Sequence, residues 1–179
     1  SLGVMLDRVA TLVKGDVVRE LSPVGESQSN GDIENAVQQI QGHYRTFKSN
    51  LETNYGFKIR EDHPILPWLV KHVSMTLYRY KVGSDGHTAY FRLKGKDFKT
   101  KQANFGENVF YLKPRTKGKH KGDSRWGVGI WLGTRDISGE QLIGTREGVL
   151  KCRAIRPISD IKQKWNRDNF EAMRGTPWE

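Results

Sequence analysis

The most regular feature of the sequence is an apolar stripe that repeats at alternating steps of four and three residues. Its members are Ile33, Val37, Ile40, Tyr44, Phe47 and Leu51. This period matches one face of an α-helix, so it predicts a helix over roughly 31–54 with the stripe facing a core. The opposite face carries polar side chains at the same spacing, namely Glu34, Gln38, Gln41, Arg45 and Lys48.

Weaker patterns surround this helix. Residues 2–14 predict a short amphipathic helix, and residues 16–21 predict a strand. The segment 22–31 consists almost entirely of turn-forming residues and predicts a loop. A second helix is expected from about Pro67 and a short one near 88–93. Residues 1–100 are therefore interpreted as one α/β region.

Beyond Lys94 the apolar period shortens to that of β-strands. Short strands are predicted at 108–112, 128–132, 141–145 and 149–155. Around the strand predicted at 128–132, apolar residues at every second position alternate with Gly127, Gly129 and Trp131. These apolar residues are Trp126, Val128, Ile130 and Leu132, and their spacing predicts one buried face. This pattern favours a small SH3-like β-barrel over 101–158. The polar tail 159–179 is expected to be loosely docked or disordered.

Composition excludes several classes of protein. No stretch approaches the ~20 consecutive apolar residues of a membrane span, so we expect an intracellular protein without a membrane partner. A single cysteine, Cys152, excludes an internal disulfide and a cysteine-based zinc site. We expect Cys152 to be a small buried apolar residue in its strand. The five histidines lack metal-ligand spacing.

The charge is positive and unevenly distributed. The net charge is +10, and residues 1–100 carry 14 basic and 11 acidic side chains, against 16 and 9 in residues 101–179. The second half is therefore the better candidate for binding a polyanion.

The start of the long helix offers a candidate for metal chemistry. Two-metal nucleotidyl transfer uses carboxylates to hold a pair of Mg²⁺ ions, and a glutamate in the first turn of a long helix is rigidly aimed. Glu34 occupies that position, just after Asn30 and Gly31. The spacing alone also fits a solvated glutamate that the helix dipole favours.

The order of these segments resembles the integrases of retroviruses and Copia-type retrotransposons. In that family a Ser/Gln-rich mobile loop leads through Asn-Gly to the third catalytic carboxylate on a long helix, as 22–37 does here. Residues 68–80 and 85–90 are similar to the closing helices of the RNase H-like core. Two later segments resemble those that follow the core, namely Phe105-Gly106-Glu107 and Gly129-Ile130-Trp131-Leu132-Gly133.

The resemblance implies roles for particular residues. Glu34 would be the catalytic, Mg²⁺-binding glutamate, and the polar side chains of its helix face would contact the DNA end; these are Gln38, Gln41, Arg45 and Lys48. The family places two further catalytic aspartates upstream. Asp7 and Asp16 do not match those positions, so we expect the chain alone to be inactive and Mg²⁺ to bind only in a complete enzyme.

A run of alternating cations precedes the second predicted strand. Its members are Lys113, Arg115, Lys117, Lys119, Lys121 and Arg125. In a hairpin arm most of these cations would lie on one side and could follow a phosphate backbone, although a solvated surface loop fits as well. The resemblance favours DNA contact, because the barrel after the integrase core binds DNA. Trp126 and Trp131 are interpreted as barrel core.

The resulting hypothesis is a fragment of a retrotransposon integrase that binds DNA in the service of DNA integration. Its partners would be retroelement ends and target DNA, with self-association or the remainder of a polyprotein as further partners, in the nucleus. The alternative is a non-enzymatic nucleic-acid-binding remnant that uses the basic barrel. A protein-interaction barrel is a third possibility, and the positive charge of the second half counts against it.

Overall fold

The computed structural model describes residues 31–100, 103–113 and 124–179, so the elements predicted before residue 31 lie outside the described residues. Helices and a five-stranded antiparallel open sheet make a mixed α/β fold. The helices are α1 (Gly31–Tyr55), α2 (Ile65–Tyr80), α3 (Ala89–Lys94), α4 (Ile161–Lys164) and α5 (Arg167–Ala172). The strands are β1 (Asn108–Leu112), β2 (Trp126–Thr134), β3 (Gln141–Thr145), β4 (Gly148–Cys152) and β5 (Ile155–Pro157).

The chain divides into two compact units, 1–38 and 39–179, and the sheet belongs to the second. Its strand order is β4-β3-β2-β1-β5, so β5 returns to lie beside β1. The strand predicted at 149–155 is two strands, because the chain bends at Arg153 and Ala154. The carbonyl of Ala154 still accepts a hydrogen bond from the Leu112 amide at 3.0 Å, which keeps β5 against β1.

The long helix α1 agrees with its predicted bounds and ends before Gly56, whose φ of 72° is a left-handed conformation that glycine adopts easily. In the second unit, Leu51 is buried and the stripe residues Ile40, Tyr44 and Phe47 pack against the core. In the first unit the expectation is wrong. Ile33 is 66% exposed and Val37 is 47% exposed. A helical period identifies an apolar side of a helix, but not how far along it a packing partner extends.

The helices and the sheet of the second unit share one hydrophobic core. It contains Leu51, Ile65, Leu69, Val73, Val109, Ile130, Trp131 and Ile143. α1 comes close to the chain entering the sheet at Gly106, which precedes β1 and has a φ of 81°. A Cβ atom at Gly106 would collide with Cδ2 of Leu51. The hydroxyl of Tyr55 donates a 2.7 Å hydrogen bond to the Gly106 carbonyl, so the contact is both steric and polar.

The tail was expected to be loosely docked or disordered, and this expectation is wrong. Phe170 and Met173 are fully buried in the core, and Trp165 packs edge-on against Tyr55 with ring centroids 5.3 Å apart. Asp160 and Asn166 cap α4 and α5 by accepting hydrogen bonds from the amides of Gln163 and Asn169. Local capping therefore makes two short helices, and the aromatic residues anchor them. Trp178 alone among these aromatics is exposed.

A buried cation joins the end of α2 to the turn between β2 and β3. Arg79 donates to the Thr134 carbonyl at 3.0 Å and forms an ion pair with Asp136. Its guanidinium carbon lies 4.2 Å from the ring centroid of Phe98. A buried arginine is stable only when paired and hydrogen-bonded, so this cluster fixes α2 against the sheet.

His72 is enclosed by aromatic side chains beside this cluster. Its ring stacks on Phe105 with centroids 4.6 Å apart and meets Phe47 and Trp131 edge-on. Burial, and secondarily the positive charge of Arg79, lowers the pKa of His72 from its ordinary 6.5 to about 4. The folded protein therefore holds His72 neutral.

Replacing Gly106 by alanine should destabilise the fold by about 3 kcal/mol, because alanine is strained at positive φ and its methyl would collide with Leu51. Gly56→Ala is the matched control, since Gly56 also has positive φ but open space around its Cα. It should cost only about 1 kcal/mol. Urea unfolding measures both, and equal losses would mean that the Leu51 contact is unimportant.

Stability should fall as the pH is lowered from 6.5 to 4. The unfolded chain protonates His72 near pH 6.5, but the folded chain does so only near pH 4. The contribution of His72 to the free energy of unfolding is therefore fully present above pH 6.5 and is lost as the pH falls to 4. The contribution is on the order of 3 kcal/mol. His72→Leu should flatten the pH dependence of urea unfolding. His63, whose pKa burial also lowers, leaves a residual slope.

Candidate functional site

Glu34 lies in the first turn of α1 and is exposed. The described residues contain no group of three or more histidine, cysteine, aspartate or glutamate side chains that could hold a metal ion. Glu34 is thus exposed and belongs to no such group within that part of the chain. The predicted upstream acids Asp7 and Asp16 lie outside the described residues.

The other polar residues predicted on this helix are in α1. Gln38 is exposed in the first unit, and Gln41 and Arg45 are exposed in the second. Lys48 is less available to a ligand, because its Nζ forms an ion pair with Glu52, at 3.9 Å from a carboxylate oxygen. The hydrogen bond from Lys58, above all, lowers the pKa of Glu52 and keeps it anionic. Gln41 and Arg45 are therefore the better candidates in the second unit for contact with a ligand.

A basic groove lies where the connection between β1 and β2 leaves the sheet. It has a volume of about 610 Å³ and is lined by Leu112, Lys113, Arg125, Glu140, Lys151, Cys152 and Arg153. The Lys113 amide donates to the Arg125 carbonyl at 2.8 Å, which continues the β1–β2 pairing beyond both strands. Lys113 and Arg125 thus stand at the root of the predicted hairpin arm. The remaining cations of the arm lie outside the described residues, namely Arg115, Lys117, Lys119 and Lys121.

The other wall of the groove was missed by the sequence reasoning. Lys151 lies in β4 directly before its last residue, and Arg153 begins the bend before β5, and both are exposed. They flank Cys152, which is only 4% exposed. Because side chains alternate across a strand, a buried cysteine predicts that its two neighbours face outward. The signal was present in the sequence, but the closeness of this strand end to Lys113 and Arg125 depends on the sheet topology.

The electrostatic character of the groove follows from which charges are paired. Among the described residues Glu140 is its one lining acid; it accepts a hydrogen bond from Ser138 at 2.8 Å and lies 3.9 Å from Arg135. Over 31–100, 103–113 and 124–179, none of the four lining cations forms an ion pair with a carboxylate. Four cations around a concave surface create a positive potential that concentrates polyanions.

Cys152 is a structural residue of this groove. Its thiol is directed at the Ala154 carbonyl at 3.5 Å, and burial raises the pKa of the thiol. A protonated, buried thiol is a poor nucleophile, so the prediction of a small buried apolar residue is confirmed.

The two tryptophans of β2 have different environments. Trp131 is fully buried and its Nε1 donates to Gln141 at 2.8 Å, which confirms it as a core residue. The same interpretation is wrong for Trp126, which is only partly buried. The guanidinium of Arg156 lies 4.3 Å from its ring centroid. The expected alternation also fails at Val128, which is 43% exposed.

Comparison with family models, with curated proteins and with solved structures finds no match for this chain. Among the helices of the described residues, none combines the length and the apolar character needed to cross a membrane.

Proposed function

We propose that the chain is a DNA-binding protein and that the basic groove beside the β1–β2 connection is its binding surface. The observation that carries this proposal is the set of four cations around the groove, Lys113, Arg125, Lys151 and Arg153, without carboxylate partners in the described residues. Lysine and arginine that are free of protein carboxylates can neutralise backbone phosphates and release their counterions. The predicted arm starts from this groove and would add further cations.

The finer proposal is that residues 1–157 correspond to the end of an RNase H-like integrase core followed by an SH3-like barrel. The strand order supports the barrel, because a short last strand beside the first brings the ends of a five-stranded meander together. The position of Glu34 in the first turn of a 25-residue helix supports the resemblance to the integrase core. On this proposal the partners are retroelement ends and target DNA, self-association accompanies integration, and the protein acts in the nucleus.

The described residues do not by themselves fit a pair of Mg²⁺ ions. Glu34 is exposed and belongs to no group of three or more potential ligands among them, whereas a two-metal centre needs several oxygen ligands. Since the resemblance implies two further catalytic aspartates upstream, residues 1–179 are proposed to bind DNA but not to cut or join it alone. The alternative proposal is a non-enzymatic nucleic-acid-binding protein. It uses the same groove and assigns Glu34 no role in chemistry.

Binding of duplex DNA to the chain should weaken steeply with salt. If about four phosphates are neutralised, the slope of log K against log salt should be near −3.6, at ~0.9 per phosphate. Changing Lys151 and Arg153 together to alanine should make that slope shallower by about 1.8. Fluorescence anisotropy of a labelled duplex over a salt series measures the slope.

The matched control removes two exposed cations away from the groove, Lys81 and Lys94. This Lys81→Ala, Lys94→Ala variant has the same net charge as the groove variant. It should leave the slope within experimental error of the parent. Equal effects of both variants would show that only net charge matters, and would remove the groove from the proposal.

A substitution at Glu34 distinguishes the integrase proposal from the non-enzymatic alternative. The chain alone should neither trim nor join DNA with Mg²⁺ or Mn²⁺. When the two aspartate-bearing strands that the resemblance implies are supplied by fusion, strand transfer should appear and Glu34→Gln should abolish it, because the amide keeps the size but not the charge that holds a metal. Glu61→Gln, at an exposed glutamate elsewhere, is the control. A fused enzyme that is active and indifferent to Glu34→Gln would contradict the assignment.

A further inference from the structure

One face of the sheet between β5, β1 and β2 carries a cluster of apolar side chains. In the strand register Phe110 lies opposite Val128 on one side and Arg156 on the other, and Leu112 lies opposite Trp126. Directly opposed residues share a face, and so do residues two apart along a strand. These five side chains therefore form one surface, which we call the platform.

The C-terminal helices α4 and α5 pack on the same face of the sheet near Asn108, at the end opposite to the platform. Asn108 and Ile130, which continue the rows of the platform, are 0% and 1% exposed. The side-chain amide of Asn108 donates to the Lys164 carbonyl at 3.1 Å and accepts from Asn169 at 3.1 Å. Val128, two residues before Ile130 on β2, is 43% exposed. Among the described residues, the platform is thus a less covered continuation of a packed face.

A cation lies across the platform. Arg156 reaches from β5 over β1, and its guanidinium carbon is 4.3 Å from the Trp126 ring centroid on β2. The stretches of chain that the structure describes place no carboxylate in an ion pair with Arg156. Its charge therefore remains available to an anion beside the indole ring, and an arginine stacked on an aromatic ring is a favourable neighbour for a nucleobase.

The platform is continuous with the basic groove. Leu112 belongs to both, Lys113 follows it in sequence, and Arg125 directly precedes Trp126. A phosphate backbone held by the groove cations would bring its adjacent nucleotides over the platform. A partner protein with an apolar surface would instead leave these unpaired cations next to the contact, so the charge favours a polyanion.

We propose that the platform stacks an unpaired base of a DNA strand whose phosphates occupy the basic groove. The inference rests on the proposed DNA binding and specifies a single-stranded segment at this position. Bases within a duplex are stacked on one another and offer only their edges to the grooves. An exposed aromatic side chain flanked by cations is the arrangement that takes up the face of an unpaired base.

The test compares two labelled single strands with the same number of phosphates. One is a deoxythymidine oligomer, and the other carries abasic tetrahydrofuran residues in its centre. The parent chain should bind the oligomer with bases about ten-fold more tightly, the scale of stacking one base. Trp126→Ala should remove most of this difference, and Trp126→Phe should retain it. Trp178→Ala, at a tryptophan that is 75% exposed, should leave it unchanged.

A duplex of the same length separates the two proposals. Trp126→Ala should leave duplex affinity and its salt slope nearly unchanged, because the groove cations remain. Equal affinity of the parent for both single strands, or a ten-fold preference that survives Trp126→Ala, would overturn the stacking inference while leaving duplex binding standing. Failure of the parent to bind any of the three DNAs would overturn the DNA-binding proposal and the platform with it.

Discussion

A small set of buried polar contacts holds the helices on the sheet, and the rest of the 39–179 unit is arranged around it. The Tyr55 hydroxyl at the end of α1 donates to the Gly106 carbonyl at 2.7 Å, just where the chain enters β1. Burial raises the pKa of Tyr55, so the hydroxyl remains a donor. Two residues after Gly106, the fully buried Asn108 connects β1 to the carbonyl of Lys164 and to Asn169. Each polar atom has a partner only in this one arrangement, which makes the contact specific as well as stabilising.

This arrangement also determines which surfaces are left for binding. The C-terminal helices occupy the end of the sheet face at Asn108, so the other end, with Trp126 and Arg156, stays open. The groove cations Lys113 and Arg125 lie at the opposite end of β1 from Asn108. Lys164, which could have added to the positive surface, is instead committed to the buried Glu107 at 2.8 Å. Lys164 is therefore structural, whereas the groove cations form no ion pair with a carboxylate in the residues described.

Features that depend on local periodicity could be predicted from the sequence. The bounds of α1, the helix near 88–93 and the strands at 108–112 and 141–145 follow from spacing and from glycine at the ends, and they are confirmed. Features that depend on distant partners could not. The exposure of Ile33, the burial of Phe170 and the open position of Trp126 are decided by which element covers which surface. Local pattern carries no such information, and for the same reason only half of the groove was anticipated. Its cations come from strand ends that the sheet topology brings together.

The docking of the C-terminal segment also has a consequence for biosynthesis. Phe170 packs against Tyr55, Phe57 and His63, and the Trp68 indole donates to the Gly175 carbonyl at 3.0 Å. These partners are more than 100 residues apart along the chain. During translation α1 and α2 therefore leave the ribosome long before the residues that complete their core. Over that interval the apolar faces of the nascent helices are open to chaperones and to other nascent chains, so this unit cannot complete its core before the C-terminal segment has been synthesised.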